Sequence, residues 1–343
     1  MKKLKKFTAV ACAAFTSIFV LTGCGTSTTS TGHQSSTSDA PVEIKHQYGT
    51  TTVKNIPQRI ATVSWVNTDT VLAFDAVPVG VPAVEWGGNK NKSTDWIDSK
   101  LKELGAQWGS SKAPKQYSEV DGINFEAIAQ VKPDLIVAAY SGMSKEQYDK
   151  LSKIAPVIGP IEPNYTTKWQ DATRAVGKAL RQEDKATKMI TDLETKLKNI
   201  GEKNNFKGIN FIAGNLDLAT NNISIYTGGD TRGRFFSSIG LTEAPVVTAN
   251  TPASKFFFDW SPERADELKS DIFYSWISAD TKIADVEAHP LFGQIPAVKN
   301  RHLVVTNDDH ATLSISAASV LSLPWAIDNF VPQIIKTVQN IRR

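Results

Sequence analysis

The sequence has 343 residues and a net charge of +3, with 41% hydrophobic and 21% charged side chains. This composition can bury the core of one large or two ordinary domains, which excludes a collagen-like or wholly disordered chain. Without residues 1–23, which contain four lysines, 34 basic side chains stand against 35 acidic ones, so a nucleic-acid-binding surface is not indicated.

The N-terminus has the features of an export signal. Lysines precede the apolar run Phe7–Leu21, which is short for a membrane span and typical of a signal peptide. The run ends at Leu21-Thr22-Gly23-Cys24, which resembles the bacterial lipoprotein box. We therefore expect a signal peptide over 1–23 and acylation of Cys24. The alternative is an ordinary secretory signal with an incidental cysteine.

A polar segment follows the expected lipid site. Ten of the thirteen residues in Thr26–Ser38 are Ser or Thr, too polar to bury a core, so residues 24–40 predict a flexible tether. The folded part is then expected outside the cytoplasm, held by a lipid at the outer face of the cytoplasmic membrane or in the periplasm. Whether the cell has one membrane or two stays open.

From Val42 onward, short β-branched runs alternate with helical segments, which is typical of an α/β architecture with mainly parallel sheets. We assign residues 41–166 to an N-terminal α/β lobe. Within it, Ile60–Ser64 predicts a buried strand, Asp69–Asp75 a helix and Val77–Val81 the next strand.

The middle of the chain is helical in composition. We assign residues 167–203 to a segment between two lobes, with apolar residues at helical spacing. Gly177 and the polar Arg181–Asp184 leave open whether it is one helix or two. Its second piece alone, about 20 residues, would span roughly 30 Å.

Residues 204–343 predict a second α/β lobe. Gly208–Ala213 reads as a strand, Thr231–Ile239 as a helix capped by Asp230, and Ala244–Val247 as a strand.

The two lobes repeat one unit at matching offsets. Glu126, Lys132 and Asp134 recur as Glu263, Lys269 and Asp271, each set spanning a short helix, a turn and a strand. An acid at a helix start also has a structural explanation in the helix dipole, but that does not explain the shared spacing. The repeat therefore predicts two similarly built lobes, with chance similarity of two helix-turn-strand units as the alternative.

Several loose motifs, taken in order, resemble the substrate-binding proteins of ABC importers for ferric siderophores and cobalamin. The similarity covers nearly all of the chain after Cys24 and is greatest for the iron-siderophore branch. The motifs that carry it are Arg59-Ile-Ala-Thr-Val63 to Val79-Gly-Val81, Glu126 to Asp134, Leu151-Ser-Lys-Ile-Ala-Pro156, Tyr226-Thr-Gly-Gly229 to Ile239-Gly-Leu241, and His289-Pro-Leu-Phe292 to Val298.

This resemblance implies a fold and a function. The fold would be α/β, with two Rossmann-like lobes joined by a long helix, as in class III periplasmic binding proteins. The function would be capture of a ferric siderophore in the interlobe cleft and delivery to an ABC importer permease, with the ATPase as an indirect partner. We expect a monomer without enzymatic activity, cofactor or directly bound metal. In that family an exposed Glu on each lobe docks onto permease arginines, and Glu126 and Glu263 stand at the matching positions.

Ligand-binding residues are sought where strands end, because α/β lobes bind ligands beyond the carboxyl ends of their strands. Aromatic residues recur there, although each is equally explained as closing a lobe core. Two arginines at a helix start can meet anionic chelate oxygens, with a solvated helix face as the alternative. The candidates are Trp65, Trp86, Tyr140, Arg232, Arg234 and Trp276, with Phe257, Trp260 and His310 as weaker ones. The loop 117–122 lacks the arginine that hydroxamate binders of the family often carry there.

Other functions are less well supported. A bare Zn or Mn site needs converging His or carboxylate ligands, and no histidine lies between His46 and His289. Haem and cobalamin suit the same aromatic cleft. A serine hydrolase has only Ser99-x-x-Lys102 in its favour, without partner motifs. Catecholate, hydroxamate and carboxylate siderophores all remain open.

Overall fold

The computed structural model describes residues 40–252 and 255–343. The first part of the chain alternates strands with helices as predicted. In chain order these are β1 (Val42–His46), β2 (Gly49–Val53), β3 (Ile60–Thr62), α1 (Val66–Leu72), β4 (Gly80–Pro82), α2 (Asp95–Glu103), β5 (Lys115–Tyr117), α3 (Phe125–Gln130), β6 (Leu135–Val137), α4 (Lys145–Leu151) and β7 (Val157–Ile158).

Two helices and the second α/β part follow. These elements are α5 (Trp169–Ala179), α6 (Glu183–Lys203), β8 (Asn210–Asp217), β9 (Asn222–Tyr226), α7 (Thr231–Ser238), β10 (Thr242–Glu243), α8 (Pro245–Asn250), β11 (Phe257–Trp260), a 3-10 helix (Pro262–Glu267), β12 (Ile272–Trp276), α9 (Ile283–Ala288), a second 3-10 helix (Phe292–Gln294), α10 (Pro296–Lys299), β13 (Leu303–Thr306), α11 (Asp309–Ser316), α12 (Ser322–Asn329) and α13 (Val331–Ile341).

The first sheet is parallel throughout, in the spatial order β5-β4-β3-β6-β7. Alternate residues of β6 enter different cores. Leu135 and Val137 pack with Val176 of α5, whereas Ile136 packs with Ile128 of α3. Helices therefore cover both faces, which explains why the strand is apolar at every position.

The second sheet is mixed, in the order β11-β9-β8-β12-β13, with β10 paired to the start of β8. Strands β8, β12 and β13 are parallel, whereas β9 pairs antiparallel with β8 on one side and with β11 on the other. The prediction of mainly parallel sheets thus holds for the first sheet and for only part of the second. The reason is the short turn after β8, which forms a hairpin instead of a helical crossover.

Several predicted elements differ from the structure. The predicted strands Ile60–Ser64, Val77–Val81 and Gly208–Ala213 are Ile60–Thr62, Gly80–Pro82 and Asn210–Asp217. The predicted strand Ala244–Val247 is wrong, because α8 begins at Pro245. Proline cannot donate in a strand ladder, and its fixed φ suits the first turn of a helix, so it overrides the β-branched residues that follow. Helix α1 begins at Val66, one turn before the predicted Asp69. The cap of α7 is confirmed, since Asp230 accepts a hydrogen bond from the Arg232 amide.

The predicted helical middle segment is two helices. Helix α5 ends at Ala179, and Arg181 takes a positive φ of 57° before α6 begins. Helix α6 runs for 21 residues, about 30 Å at 1.5 Å per residue. Its buried face contributes Leu193 and Leu197 to the core of the second half. The long helix predicted between the lobes is therefore present.

The repeated unit has a structural role in its final residue. Asp134, just before β6, accepts the amides of Gln58 and Arg59 at 2.8 and 2.9 Å. Asp271, just before β12, accepts the amide of Asn210 at 2.8 Å and its side-chain amide at 2.6 Å. Each aspartate fixes the start of the neighbouring parallel strand, so the repeat reflects equivalent construction of the two halves.

The C-terminal helices return to the first half of the chain. Asp69 on α1 is fully buried and accepts 2.7 Å hydrogen bonds from Trp96 Nε1 and Ser319 Oγ at the same oxygen, Oδ2. Leu313 of α11 packs into the same small core as Leu72 and Trp96. These contacts join the two halves into one compact unit.

Candidate functional site

A cavity of about 410 Å³ lies at the carboxyl edge of the first sheet. The sequence order of the strands reverses here, with β4 and β6 on either side of β3, and α/β sheets bind ligands at such points. Trp65, in the turn after β3, and Ser141–Met143, after β6, form opposite walls. Residues after β4 and β5 close the cavity, among them Glu85, Glu119 and Val120.

A second cavity, of about 520 Å³, connects the two halves. It shares Gly142 and Tyr165 with the first cavity, and its far wall is the strand β11 with Phe256–Asp259. We call the two cavities together the groove. Val120, Tyr165 and Phe257 line it although they are 70%, 49% and 38% exposed. Such exposed apolar surface in a concavity is typical of a binding site for an organic ligand.

Gly142 lies where the two cavities meet and is in close contact with Tyr165. A Cβ at this position would lie 2.3 Å from the ring of Tyr165. Glycine therefore lets the ring lie against the backbone after β6 in its present position, and a larger residue would displace the half-exposed ring.

Three of the predicted residues come together: Trp86 from the first half, and Arg232 and Trp276 from the second. The rings of Trp86 and Trp276 meet edge to face, with centroids 5.9 Å apart. Trp276 Nε1 donates to Tyr226 Oη at 2.8 Å, and the guanidinium carbon of Arg232 lies 3.5 Å from the Tyr226 ring centroid. Tyr226, the last residue of β9, joins these side chains, although sequence reasoning did not assign it to the site. Its place in the motif Tyr226-Thr-Gly-Gly229 was the available signal.

The side chain of Arg232 is held by an ion pair with Asp230. Its Nε and Nη2 bind Asp230 Oδ1 and Oδ2 at 2.7 and 2.8 Å, and both side chains are largely buried. Burial opposes the charge, but the Asp230 carboxylate outweighs it and raises the pKa of Arg232 above its ordinary value. The guanidinium is therefore a fixed cation within a compensated pair.

Tyr140 and Arg234 have other contacts, although Tyr140 lies near the Asp230–Arg232 pair. Tyr140 is buried between Val66 and Ala317, and its ring centroid is 5.8 Å from that of Tyr165. Burial, with the nearby Asp230 carboxylate, raises the pKa of Tyr140. Arg234 donates to Thr166 O at 2.7 Å and lines a separate cavity of about 340 Å³.

The weaker candidates have diverse positions. Phe257 lines the groove, whereas Trp260 is buried in the core of the second sheet. His310, at the start of α11, bonds through Nδ1 to the carbonyl of Gly87 at 2.9 Å. It also lies against the Trp96 ring, with centroids 5.0 Å apart. His310 thus fixes the loop that carries Trp86.

Glu119 is a groove residue that sequence reasoning missed. One of its carboxyl oxygens accepts the Ser64 amide at 2.9 Å. The other, Oε1, is buried without a hydrogen-bond partner among the described residues. Burial raises the pKa of Glu119 to about 7. The sequence expectation for the loop 117–122 concerned only its lack of an arginine. Nothing local in the sequence indicates that the Glu119 carboxyl is buried.

The two predicted docking glutamates are exposed, Glu126 on α3 and Glu263 on the first 3-10 helix. Helix α3 is capped by Asn124, which accepts the Ala127 amide at 3.0 Å, so Glu126 is free of that role. Glu263 accepts the Ser261 hydroxyl at 2.6 Å, which lowers its pKa.

The remaining sequence predictions concern the lipid site, the hydrolase motif, bound metal and membrane-spanning helices. Cys24 lies outside the described residues. Ser99 and Lys102 are exposed on α2, outside the groove. Over residues 40–252 and 255–343, no three His, Cys, Asp or Glu side chains gather closely enough to hold a metal ion. In the same ranges, no helix has both the length and the apolar character needed to cross a bilayer.

Comparison with known proteins identifies the family. A family model described as periplasmic binding protein matches residues 60–310. The chain belongs to the periplasmic binding protein family. Its groove between two α/β halves and its long connecting helix are the class III form of that fold.

Relatives of this periplasmic binding protein span most of its length. The Fe(3+)-citrate-binding protein YfmC of Bacillus subtilis is 26% identical over 304 residues, 86% of this chain and 87% of that protein. The ferric enterobactin-binding periplasmic protein FepB of Escherichia coli is 25% identical over 77% of this chain and 83% of its own. The crystal structure of Streptococcus pneumoniae PiaA in complex with ferrichrome superposes with a TM-score of 0.79 at 29% identity, covering 87% of this chain and 99% of that one.

Proposed function

We propose that this periplasmic binding protein captures a ferric siderophore in its groove and delivers it to an ABC importer permease. The observation that carries the proposal is the groove itself, which runs from the switch point of the first sheet to the β11 strand of the second half. Aromatic rings from both halves border it, and they suit the organic shell of a chelate. The three relatives named above are described with iron chelates, which supports the same class of ligand here.

We propose that the cluster of Trp86 from the first half with Tyr226, Arg232 and Trp276 from the second also contacts the chelate, in addition to the residues that line the two cavities. Trp86 and Trp276 meet edge to face, Arg232 lies over the Tyr226 ring, and the charge of Arg232 is compensated by Asp230. Trp65 and Tyr165 are the proposed contacts from the first half, since both line the groove. Of the remaining sequence candidates, Tyr140 would act by holding the two halves together, and Arg234 would act at the neighbouring cavity.

A fluorescence titration of the full-length chain in detergent tests the proposal. We expect ferric siderophores to quench tryptophan emission with saturation, and the iron-free siderophores and haemin to bind at least about tenfold more weakly. Trp276→Ala should weaken binding about tenfold, because it removes an aromatic contact and the partner of Tyr226. Trp108→Phe, a change near α2 outside the groove, should leave affinity unchanged. Haemin binding in preference to every ferric siderophore would contradict the proposal.

Delivery would use the exposed carboxylates of Glu126 and Glu263. They stand on short helices at equivalent positions of the two halves, so both can meet one partner in a fixed orientation. We further propose that Cys24 carries a lipid and that residues 24–40 tether the folded part to the membrane.

A further inference from the structure

The charged side chains that line the groove are mostly acidic. They are Glu85, Glu119, Asp259 and Lys255. Glu85 pairs with Lys92 at 3.0 Å, and Asp259 accepts the Ser224 hydroxyl at 2.9 Å. Glu119 has only the Ser64 amide on one oxygen and no partner on the other among the described residues. Three carboxyl groups against the one ammonium of Lys255 make the lining acidic overall, and Glu119 is the acid with an unpartnered oxygen among the described residues.

The two arginines of α7 do not reverse this balance. Arg232 is neutralised by Asp230 through two hydrogen bonds, and breaking that pair would leave a buried carboxylate alone. Arg234 is directed to the Thr166 and Gly228 carbonyls at 2.7 and 3.1 Å. Arg232 is charge-compensated by Asp230, Arg234 lines a separate cavity, and neither guanidinium is among the residues that line the groove.

Building on the proposed function, we infer that the groove selects ferric chelates without negative charge, the tris-hydroxamate class, and that Glu119 is a specificity-determining residue. Three hydroxamates just neutralise Fe(III), whereas three catecholates leave a triply negative complex and citrate chelates are also anionic. An anionic chelate beside Glu119 is disfavoured because like charges repel strongly where water is excluded. A hydroxamate chelate with an amide, hydroxyl or ammonium donor can instead lie beside the Glu119 carboxyl without this repulsion.

The protonation of Glu119 supplies a signature of this selectivity. The titratable groups around it are Tyr117 on the same loop, and Glu85 and Tyr165 on the other walls of the cavity. Its pKa of about 7 is set first by burial. A cationic chelate favours the ionised carboxylate, so its affinity should rise as pH increases through 7. The affinity of an anionic chelate should fall over the same range.

The test compares four chelates on the full-length chain in detergent. Ferrioxamine B is cationic, ferrichrome is neutral, and ferric enterobactin and Fe(III)-citrate are anionic. We expect both hydroxamates to bind at least about tenfold more tightly than either anion. Glu119→Gln should weaken ferrioxamine B about tenfold, change ferrichrome less and strengthen ferric enterobactin, while removing the pH dependence. Glu287→Gln, an exposed change on α9, is the matched control.

Each outcome is decisive. Tightest binding of an anionic chelate by the wild-type chain would overturn the inference and leave the proposed function standing. Failure of all four chelates, and of other ferric siderophores, would instead reject the proposed function. Unchanged affinities in Glu119→Gln would remove Glu119 from the specificity role. If thermal melting shows that this variant does not fold, Glu119→Asp serves in its place, with an altered pH profile expected and an unaltered one contradicting the role.

Discussion

Asp69 is the residue on which the contact between the two halves is centred. Its Oδ2 accepts both hydrogen bonds, from Trp96 and Ser319, while Oδ1 is buried without a partner among the described residues. Burial raises the pKa of Asp69 to about 7 and outweighs the two hydrogen bonds, which act in the opposite direction. The native protein therefore holds a proton at a pH where the unfolded chain has released it.

This proton makes stability depend on pH. Between about pH 4, the unfolded pKa, and about pH 7 the native state binds more protons, so the free energy of unfolding should fall as pH rises and then level off. Glu119 contributes in the same direction. Asp69→Asn keeps the acceptor oxygen and should flatten the slope, as measured by urea unfolding at pH 5 and pH 8. An equal slope in wild type and variant, with exposed Asp266→Asn as control, would contradict this assignment.

Among the elements, strands β6 and β12 follow Asp134 and Asp271, which position the neighbouring strand in the same way in both halves. Both carboxylates hold the start of a neighbouring strand, but Asp134 is exposed and Asp271 is half-buried. Water can replace the lost acceptor at the first site more readily than at the second. The two aspartates are thus equivalent in position, but we expect Asp271 to contribute more to the free energy of unfolding.

Alanine substitution at the two sites should reveal that difference. Asp271→Ala should lower the free energy of unfolding by about 2–3 kcal/mol, because it leaves the Asn210 donors without an acceptor, and Asp134→Ala by about 1 kcal/mol. Asp266→Ala, at an exposed position of the first 3-10 helix, should change it by less than about 0.5 kcal/mol. Urea unfolding with a common slope measures all three. Equal losses at both aspartates would argue against the role of burial.

Elements whose cause is local were predictable from sequence. Helix α6 follows from its apolar spacing, and the cap of α7 follows from the chemistry of Asp230. Helix α8 was missed because Pro245 outweighs the β-branched residues after it. In the candidate site, aromatic residues at strand ends could be named in advance. The burial of Glu119 could not, because it depends on packing against β3, more than fifty positions earlier.

For the whole molecule, the two exposed glutamates lie on equivalent elements of the two halves. Helix α6 and the contacts of α11 with the first half make these halves one compact unit. A partner that contacts both glutamates would therefore meet a nearly fixed separation, with small adjustments of about 1 Å in the backbone. This rigidity favours docking that depends on both carboxylates at once.

Uptake of radiolabelled ferric siderophore by cells tests that dependence. Glu126→Gln and Glu263→Gln should each reduce uptake several-fold, and the double variant on the order of tenfold or more, without changing siderophore affinity. Glu287→Gln should transport normally. Loss of affinity in either variant, or normal uptake in the double variant, would contradict the docking role.

The bond between Asp69 and Ser319 joins positions 250 residues apart. Polypeptides are made amino end first, so the buried Asp69 side chain lacks one of its two hydrogen-bond donors until almost the whole sequence is present. A product cut short before Ser319 lacks this bond and also the helices α12 and α13, and so leaves core residues exposed to proteases and chaperones.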